Sequence, residues 1–306
     1  MLGGGGSAGN AWLIGVIAGL FEAGLDVTDA DLIIGTSAGS TAAAQVTCAT
    51  PTALLADILT AAPVPKSSPA TPGRRPARGS HPANHLEVMQ AIIAAAKDPA
   101  DYRRSMGAAV LETAASSGDP GQSQRWRATV AGRLPSLHWP ERRVLLTAVD
   151  ARTGEPVVFD RDSGVDLADA VAASCAGGPP YSIGDGWYID GGYRSVENAD
   201  LAAGYDRVLV LAPLGGATRM PRDWGTHLAA QVDALRAGGS LVEAIVPDES
   251  SHRAFGGNLM DPSTRPPAAR AGRDQGRAHA GQLAGFWRGR GRHPVQVHRP
   301  SGMVEG

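Results

Sequence analysis

A five-residue turn, GTSAG at residues 35–39, constrains this chain more than any other feature of its sequence. It follows a short apolar run at residues 31–35, typical of a buried strand, and small helix-forming residues follow at 37–47. A serine on a tight strand-to-helix turn has a strained backbone and an exposed hydroxyl, and the free N–H groups of the new helix point toward it. The pattern G-x-S-x-G in this setting favours Ser37 as a nucleophile over a purely structural turn.

The segments around this turn alternate between helical and strand-like patterns. Helices are predicted at residues 10–24, 37–47, 84–97, 101–116, 166–174, 224–237 and 265–287. Strands are predicted at residues 31–35, 143–151, 155–160, 186–192, 206–213 and 241–247. Alternation of this kind predicts an α/β fold, in which a parallel sheet is flanked by helices.

A run of four glycines at residues 3–6 precedes the first helix. Gly4, Gly6 and Gly9 satisfy G-x-G-x-x-G, the dinucleotide-binding fingerprint, which also requires an acidic residue at the end of the second strand. Here that strand ends in glycine and the GTSAG turn, so a nucleotide-dependent oxidoreductase is disfavoured. The alternative is that consecutive glycines aim backbone N–H groups at an oxyanion beside Ser37.

A serine nucleophile needs a base, and the sequence offers two kinds. Of its eight histidines, His227 and His252 are the best placed in chain order, yet neither follows a convincing strand. Asp190 does lie at the end of an apolar strand, and Gly191 and Gly192 allow a sharp turn after it. A plain hairpin turn would also explain Asp-Gly, but together with the other two motifs Asp190 is favoured as a desolvated carboxylate base.

GGGSAG at residues 4–9, GTSAG at 35–39 and DGG at 190–192 together resemble the patatin-like phospholipase family in order and spacing. The resemblance implies a three-layer α/β/α fold with a mostly parallel central sheet, and a Ser37–Asp190 dyad without a catalytic histidine. It also implies an oxyanion hole and a set of motif glycines. The oxyanion hole would comprise Gly4, Gly5, Gly6 and Ala38, and the motif glycines would be Gly9, Gly35, Gly39, Gly191 and Gly192.

The resemblance further implies a lipid acyl hydrolase that cleaves carboxylic esters of phospholipids or lysophospholipids through an acyl-enzyme, without a metal or other cofactor. This sequence departs from the family pattern in two places. Met1-Leu2 stands where members usually have a full first strand, and Ser7-Ala8 stands where many carry a basic residue. The short start motivates an alternative function, a catalytically impaired lipid-binding or scaffolding relative.

Charge and cysteine content limit the possible partners and the cellular compartment of this protein. The 28 basic and 30 acidic residues give a formal net charge of −2, so no nucleic-acid partner is expected. Two cysteines, Cys48 and Cys175, are too few for a disulfide framework or a zinc site and fit a reducing compartment, so we predict a cytoplasmic protein. No apolar stretch has the length of a transmembrane helix. The lipid or fatty-acyl ester substrate leads us to expect transient, peripheral contact with the inner membrane surface.

The absence of a composition break predicts one domain over residues 1–287. It contains a Pro-rich loop at residues 61–80, and a basic tail at 288–306 that we expect to be disordered follows it.

Overall fold

The computed structural model describes residues 1–62, 82–119 and 121–289. The predicted Pro-rich loop and basic tail lie almost entirely outside these residues. Across the described ranges the chain forms ten α-helices and seven strands. The helices are α1 (Gly6–Glu22), α2 (Ala38–Val46), α3 (Pro51–Thr60), α4 (Pro82–Ala95), α5 (Pro99–Ser117), α6 (Gln122–Ala131), α7 (Leu167–Ser174), α8 (Leu228–Ala237), α9 (Glu249–Phe255) and α10 (Arg265–Arg288). The strands are β1 (Ile33–Thr36), β2 (Val144–Asp150), β3 (Pro156–Phe159), β4 (Tyr181–Ile183), β5 (Gly186–Asp190), β6 (Arg207–Leu211) and β7 (Leu241–Ile245).

Helices cover both faces of the sheet, which gives the predicted three-layer α/β/α arrangement. Successive residues of β1 face opposite layers, because side chains alternate along a strand. Ile33 belongs to the core cluster that includes α1, α2 and α7, whereas Ile34 packs with Val210 of β6 and Val232 of α8. No helix in the described ranges is both long and apolar enough to cross a membrane.

The sheet is mixed. β6 and β7 pair in parallel, β1 and β2 pair in parallel, and Leu2 joins the two pairs by parallel bridges to Leu211 and Gly35. β3 and β5 are antiparallel to β2, and β4 is antiparallel to β5. The expected parallel pairing therefore describes the half of the sheet around Leu2, and the other half is antiparallel.

The strand register brings the two predicted catalytic turns together. β3 runs along one side of β2, so β1 and β5 share the other side. β1 pairs with β2 up to Thr36 opposite Thr147, and β5, running the opposite way, ends at Asp190 opposite Ala148. The carboxyl ends of β1 and β5 therefore meet end to end. The residue after β1 and the last residue of β5 are placed side by side.

Helices α1 and α10 pack closely through glycines on both sides. A Cβ on Gly15 of α1 would lie 2.2 Å from the Ala269 carbonyl oxygen. In return, a Cβ on Gly276 of α10 would lie 2.2 Å from the Val16 carbonyl oxygen. Only glycine allows this backbone approach. Because α1 is buried over most of its length and begins at the glycine run, this packing also fixes where that run lies.

Candidate active site

Ser37 lies on the turn between β1 and α2 in a strained conformation. Its φ is 54° and its ψ is −118°, a left-handed region that costs a non-glycine residue about 1–3 kcal/mol. Neighbouring groups hold it there: the Ser37 N–H donates to Ser174 Oγ at 3.0 Å, and Cys175 Sγ donates to the Ser37 carbonyl at 3.0 Å. The end of α7 therefore pins the turn that carries the predicted nucleophile.

Asp190 lies next to Ser37 and is buried, with 9% of its surface exposed. Burial raises the pKa of its carboxyl to about 6, although the neighbouring Ser37 side chain and the Gly192 N–H act to lower it. The Gly192 N–H donates to Asp190 Oδ1 at 2.7 Å. No cation in the described residues forms an ion pair with Asp190. A carboxylate in this state can accept a proton from a neighbouring hydroxyl near neutral pH.

Asn198, which was not predicted from the sequence, joins the two turns. It is fully buried and has a left-handed backbone, with φ 52°. Its Nδ2 lies 3.0 Å from Thr36 Oγ1, 3.2 Å from the Gly191 carbonyl oxygen and 2.7 Å from the Ser195 carbonyl oxygen. One amide therefore bridges the residue before Ser37 and the residue after Asp190. No local sequence signal marks Asn198, because its partners come from separate parts of the chain.

We define residues 3–6 as the glycine loop. Met1 and Leu2, which precede this loop, form backbone hydrogen bonds with the strands on either side. The Leu2 N–H donates to the Ile34 carbonyl at 2.8 Å, and the Thr36 N–H donates to the Leu2 carbonyl at 3.0 Å. On the other side, the Leu211 N–H donates to the Met1 carbonyl at 2.9 Å. Met1 and Leu2 thus fill the position between β1 and β6 and anchor the glycine loop to the sheet.

Close packing surrounds the glycine loop. A Cβ on Gly39 would lie 1.9 Å from the Leu2 carbonyl oxygen, so only glycine lets α2 begin this close to the chain that leads into the loop. Gly9 lies in α1 against Pro213, and Gly35 in β1 pairs with Leu146.

The N–H groups of the glycine loop differ in how they are used. The Gly4 N–H, which the resemblance implied to be an oxyanion donor, donates to the Val196 carbonyl at 3.0 Å. Gly4 instead packs against the serine, since a Cβ on it would lie 3.6 Å from Ser37 Cβ. The N–H groups of Gly5, Gly6 and Ala38 have no acceptor among the described residues. Of these three residues, Gly6 and Ala38 line the cavity beside Ser37, so their N–H groups are open to a ligand.

A cavity of about 1300 Å³ opens beside these groups, and we call it the Ser37 cavity. Ser37, Asp190, Gly6 and Ala38 all line it. Most of the lining is apolar. Its apolar members include Ile14, Ala49, Leu54, Ile58, Trp126 and Leu134. The two predicted catalytic side chains are therefore open to a space that can hold hydrocarbon.

The histidines favoured by sequence order lie elsewhere. His227 directly precedes α8, and its buried Nδ1 has no hydrogen-bond partner in the described chain. His252 packs edge-on against Phe255. Of the histidines with described positions, His85 of α4 is the one that lines the Ser37 cavity, and its Nε2 lies 3.0 Å from the Tyr193 hydroxyl. Sequence order gave no reason to select His85.

Glu197 is a buried carboxyl under the glycine loop. It is 1% exposed, and a Cβ on Gly3 would lie 3.4 Å from its Cγ. Its Oε1 has no hydrogen-bond partner among the described residues. Burial raises its pKa to about 7, opposed by a hydrogen bond from its own backbone N–H. The folded protein therefore favours the protonated form of Glu197.

Ionisation of the buried Glu197 carboxyl at high pH should lower the free energy of unfolding by about 3 kcal/mol. Because the folded pKa is raised, the stability that Glu197 contributes is fully present below its unfolded pKa and is lost as pH rises through about 7. Glu197→Gln should remove that loss, so its stability gain over wild type should grow from pH 5 to pH 8.5 in urea unfolding. The exposed Glu112→Gln is the control, and an equal gain at both pH values for Glu197→Gln would contradict the prediction.

A known protein family matches the part of the chain that forms this site. The family model described as "Patatin-like phospholipase" matches residues 1–203, more than half of the 306-residue chain. The match covers the glycine loop, Ser37 and Asp190. No curated protein matches the chain. The chain belongs to the patatin-like phospholipase family, a family of lipid acyl hydrolases.

Proposed function

We propose that this protein is a serine lipid acyl hydrolase that cleaves carboxylic esters of phospholipids or lysophospholipids. One observation carries the proposal: Ser37, on a strained turn, lines the same cavity as Asp190, a buried carboxylate whose pKa burial raises to about 6. Both side chains line a large, mostly apolar cavity, which suits an acyl chain. Family membership supports the same class of reaction.

In the proposed mechanism Asp190 takes the hydroxyl proton of Ser37 as Ser37 Oγ attacks the ester carbonyl carbon. The free N–H groups of Gly5, Gly6 and Ala38 stabilise the oxyanion of the tetrahedral intermediate. The C–O bond to the alcohol then breaks, and protonated Asp190 returns its proton to the leaving alkoxide. An acyl ester remains on Ser37 Oγ.

Deacylation repeats these steps with water. Asp190 removes a proton from a water molecule, whose oxygen attacks the acyl carbonyl carbon. The bond to Ser37 Oγ breaks, the serine regains the proton, and the fatty acid leaves. The apolar wall of the Ser37 cavity holds the acyl chain through both half-reactions.

The dyad is tested by fatty-acid release from a lysophospholipid, measured for wild type and three histidine variants. Wild type should release fatty acid. His227→Ala and His252→Ala should stay within about threefold of wild-type kcat/KM, and His85→Gln within about tenfold, because removing a true general base costs about 10²–10⁴-fold. A loss above 100-fold in any one variant would assign the base to that histidine, and an inactive wild type would contradict the proposed function.

A further inference from the structure

Three arginines with described positions line the Ser37 cavity, and they differ in their partners. Arg125 forms an ion pair with Asp119. Arg133 and Arg265 form no ion pair with any carboxylate in the described chain. Two cations are therefore uncompensated in the cavity that holds Ser37.

Arg265, the first residue of α10, is held at the start of α1 by neutral acceptors. Its Nη1 donates to the Ser7 carbonyl at 3.1 Å and to Asn10 Oδ1 at 3.0 Å. A guanidinium has five N–H donors, and those on Nε and Nη2 of Arg265 have no acceptor among the described residues. These contacts fix the side chain beside the glycine loop and leave three donors for a ligand.

Arg133, which follows α6, lies over the ring of Trp126 at 5.5 Å from its centroid. The positive charge of Arg133 also acts on the Cys175 thiol. Burial raises the pKa of this thiol to about 12, and the charge of Arg133 opposes that rise. Burial lowers the pKa of Arg265, and the charge of Arg133 lowers it further. The two guanidinium groups therefore repel each other, and an anion between them would relieve that repulsion.

We propose that Arg133 and Arg265 form a subsite for the phosphate of the ester substrate, next to the groups that cleave its acyl bond. Arginine suits this role because its planar donors match phosphate oxygens in pairs. The acidic residues in the described lining are Asp57 and Asp190, and neither forms an ion pair with these arginines. This subsite rests on the proposed function and narrows its substrates to esters that carry a phosphodiester.

Two short-chain substrates with the same acyl group test the subsite: a lysophosphatidylcholine and a monoacylglycerol, both below their micelle concentrations. Arg133→Gln and Arg265→Gln should each raise KM for the lysophospholipid about 10- to 100-fold, because each removes charge-assisted hydrogen bonds. Monoacylglycerol kinetics should stay within about threefold. Arg125→Gln is the matched control, since Arg125 lines the same cavity but already pairs with Asp119.

A purely structural role would give a different result, because Arg265 also contacts Ser7 and Asn10. Damage to the glycine loop would lower kcat for both substrates equally and would overturn the assignment of Arg265. Arg133 has no side-chain hydrogen bond in the described structure, so Arg133→Gln remains a clean second variant. An unchanged KM for the lysophospholipid in Arg133→Gln would overturn the subsite.

The phosphate of a lipid headgroup and free inorganic phosphate both suit a pair of arginines, and competitive inhibition distinguishes these two ligands. Glycerophosphocholine should competitively inhibit monoacylglycerol hydrolysis by wild type, and less so in the two variants. Inhibition by inorganic phosphate alone, with an unchanged KM for the lysophospholipid, would assign the arginines to free phosphate and overturn the headgroup subsite.

Calorimetry with the Ser37→Ala variant measures lipid binding at the subsite without turnover. This variant should bind the lysophospholipid at least about tenfold more tightly than the monoacylglycerol, and adding Arg133→Gln should remove the preference. That result would support the subsite even if wild type hydrolysed neither ester. Equal binding of the two lipids, in a protein that does hydrolyse esters, would overturn the subsite and leave the proposed function in place.

Discussion

Replacing Ser37 with alanine is expected to lower kcat/KM for a short-chain nitrophenyl ester and for a lysophospholipid by about 10⁴-fold or more. We expect this loss because no covalent acyl-enzyme forms without Oγ, and the oxyanion donors alone give only residual catalysis. Nitrophenol release and fatty-acid release measure the loss on the two substrates. Circular dichroism of the variant shows whether its fold is retained.

Cys175 is the matched control, because its thiol is an alternative nucleophile that donates to the Ser37 carbonyl. Burial raises the pKa of this thiol to about 12, so it stays protonated at neutral pH and is a poor nucleophile. Cys175→Ser should keep most of the activity. Turnover that survives Ser37→Ala but is lost in Cys175→Ser would transfer the nucleophile to the cysteine.

Asp190→Asn is expected to lower kcat/KM by about 10²–10⁴-fold, because it removes the base while keeping an oxygen that can accept from the Gly192 N–H. Asparagine before glycine can deamidate to aspartate, so Asp190→Ala is measured alongside it. Asp185→Asn is the control, since Asp185 is exposed in the turn that precedes β5. Near-wild-type rates in both Asp190 variants would rule out a Ser37–Asp190 dyad.

The wild-type pH profile follows from the same carboxylate. Burial raises the pKa of Asp190 to about 6, and only the ionised form can accept the serine proton. Log kcat/KM should therefore be level above pH 7 and fall about tenfold per pH unit below about 6. A profile that is flat from pH 5 to pH 8 on a non-ionising ester would contradict Asp190 as the base.

Two motifs predicted the positions of the turns that carry Ser37 and Asp190, because each motif depends on local chemistry. GTSAG specifies a strand, a tight turn and a helix, and the structure has β1, Ser37 and α2 in that order. DGG specifies a strand end, and β5 ends at Asp190. The family resemblance implied that the two turns meet, but local pattern could not show how, because the meeting depends on β1 and β5 sharing one side of β2 in opposite directions.

Elements that lack a strong local pattern were missed. Helix α3 was not predicted, although Leu54, Leu55 and Ile58 are buried and Thr50 caps its first turn. Helices α6 and α9 and the three-residue strand β4 were also missed. Helix α8 begins at Leu228 rather than 224, because Gly225 takes a left-handed conformation after a short 3₁₀ turn. In each case tertiary packing or a single backbone angle decides the element.

Within the site, sequence alone could not show how backbone groups are used. Gly4 and Gly5 look equivalent in a run of glycines, yet the Gly4 N–H is bonded to Val196 and the Gly5 N–H has no acceptor in the described chain. The partners of Asn198 and the buried position of Glu197 likewise depend on segments far apart in sequence. Such residues are found only once the fold brings their neighbours together.

An activated serine at position 37 is the central claim, and intact-protein mass spectrometry after treatment with a fluorophosphonate ester tests it most directly. Wild type should gain one phosphonyl adduct, which peptide mapping should locate on Ser37 Oγ. Ser37→Ala should gain none, and Asp190→Asn should react far more slowly than wild type. An unlabelled wild type, or an adduct that persists in Ser37→Ala, would contradict the claim.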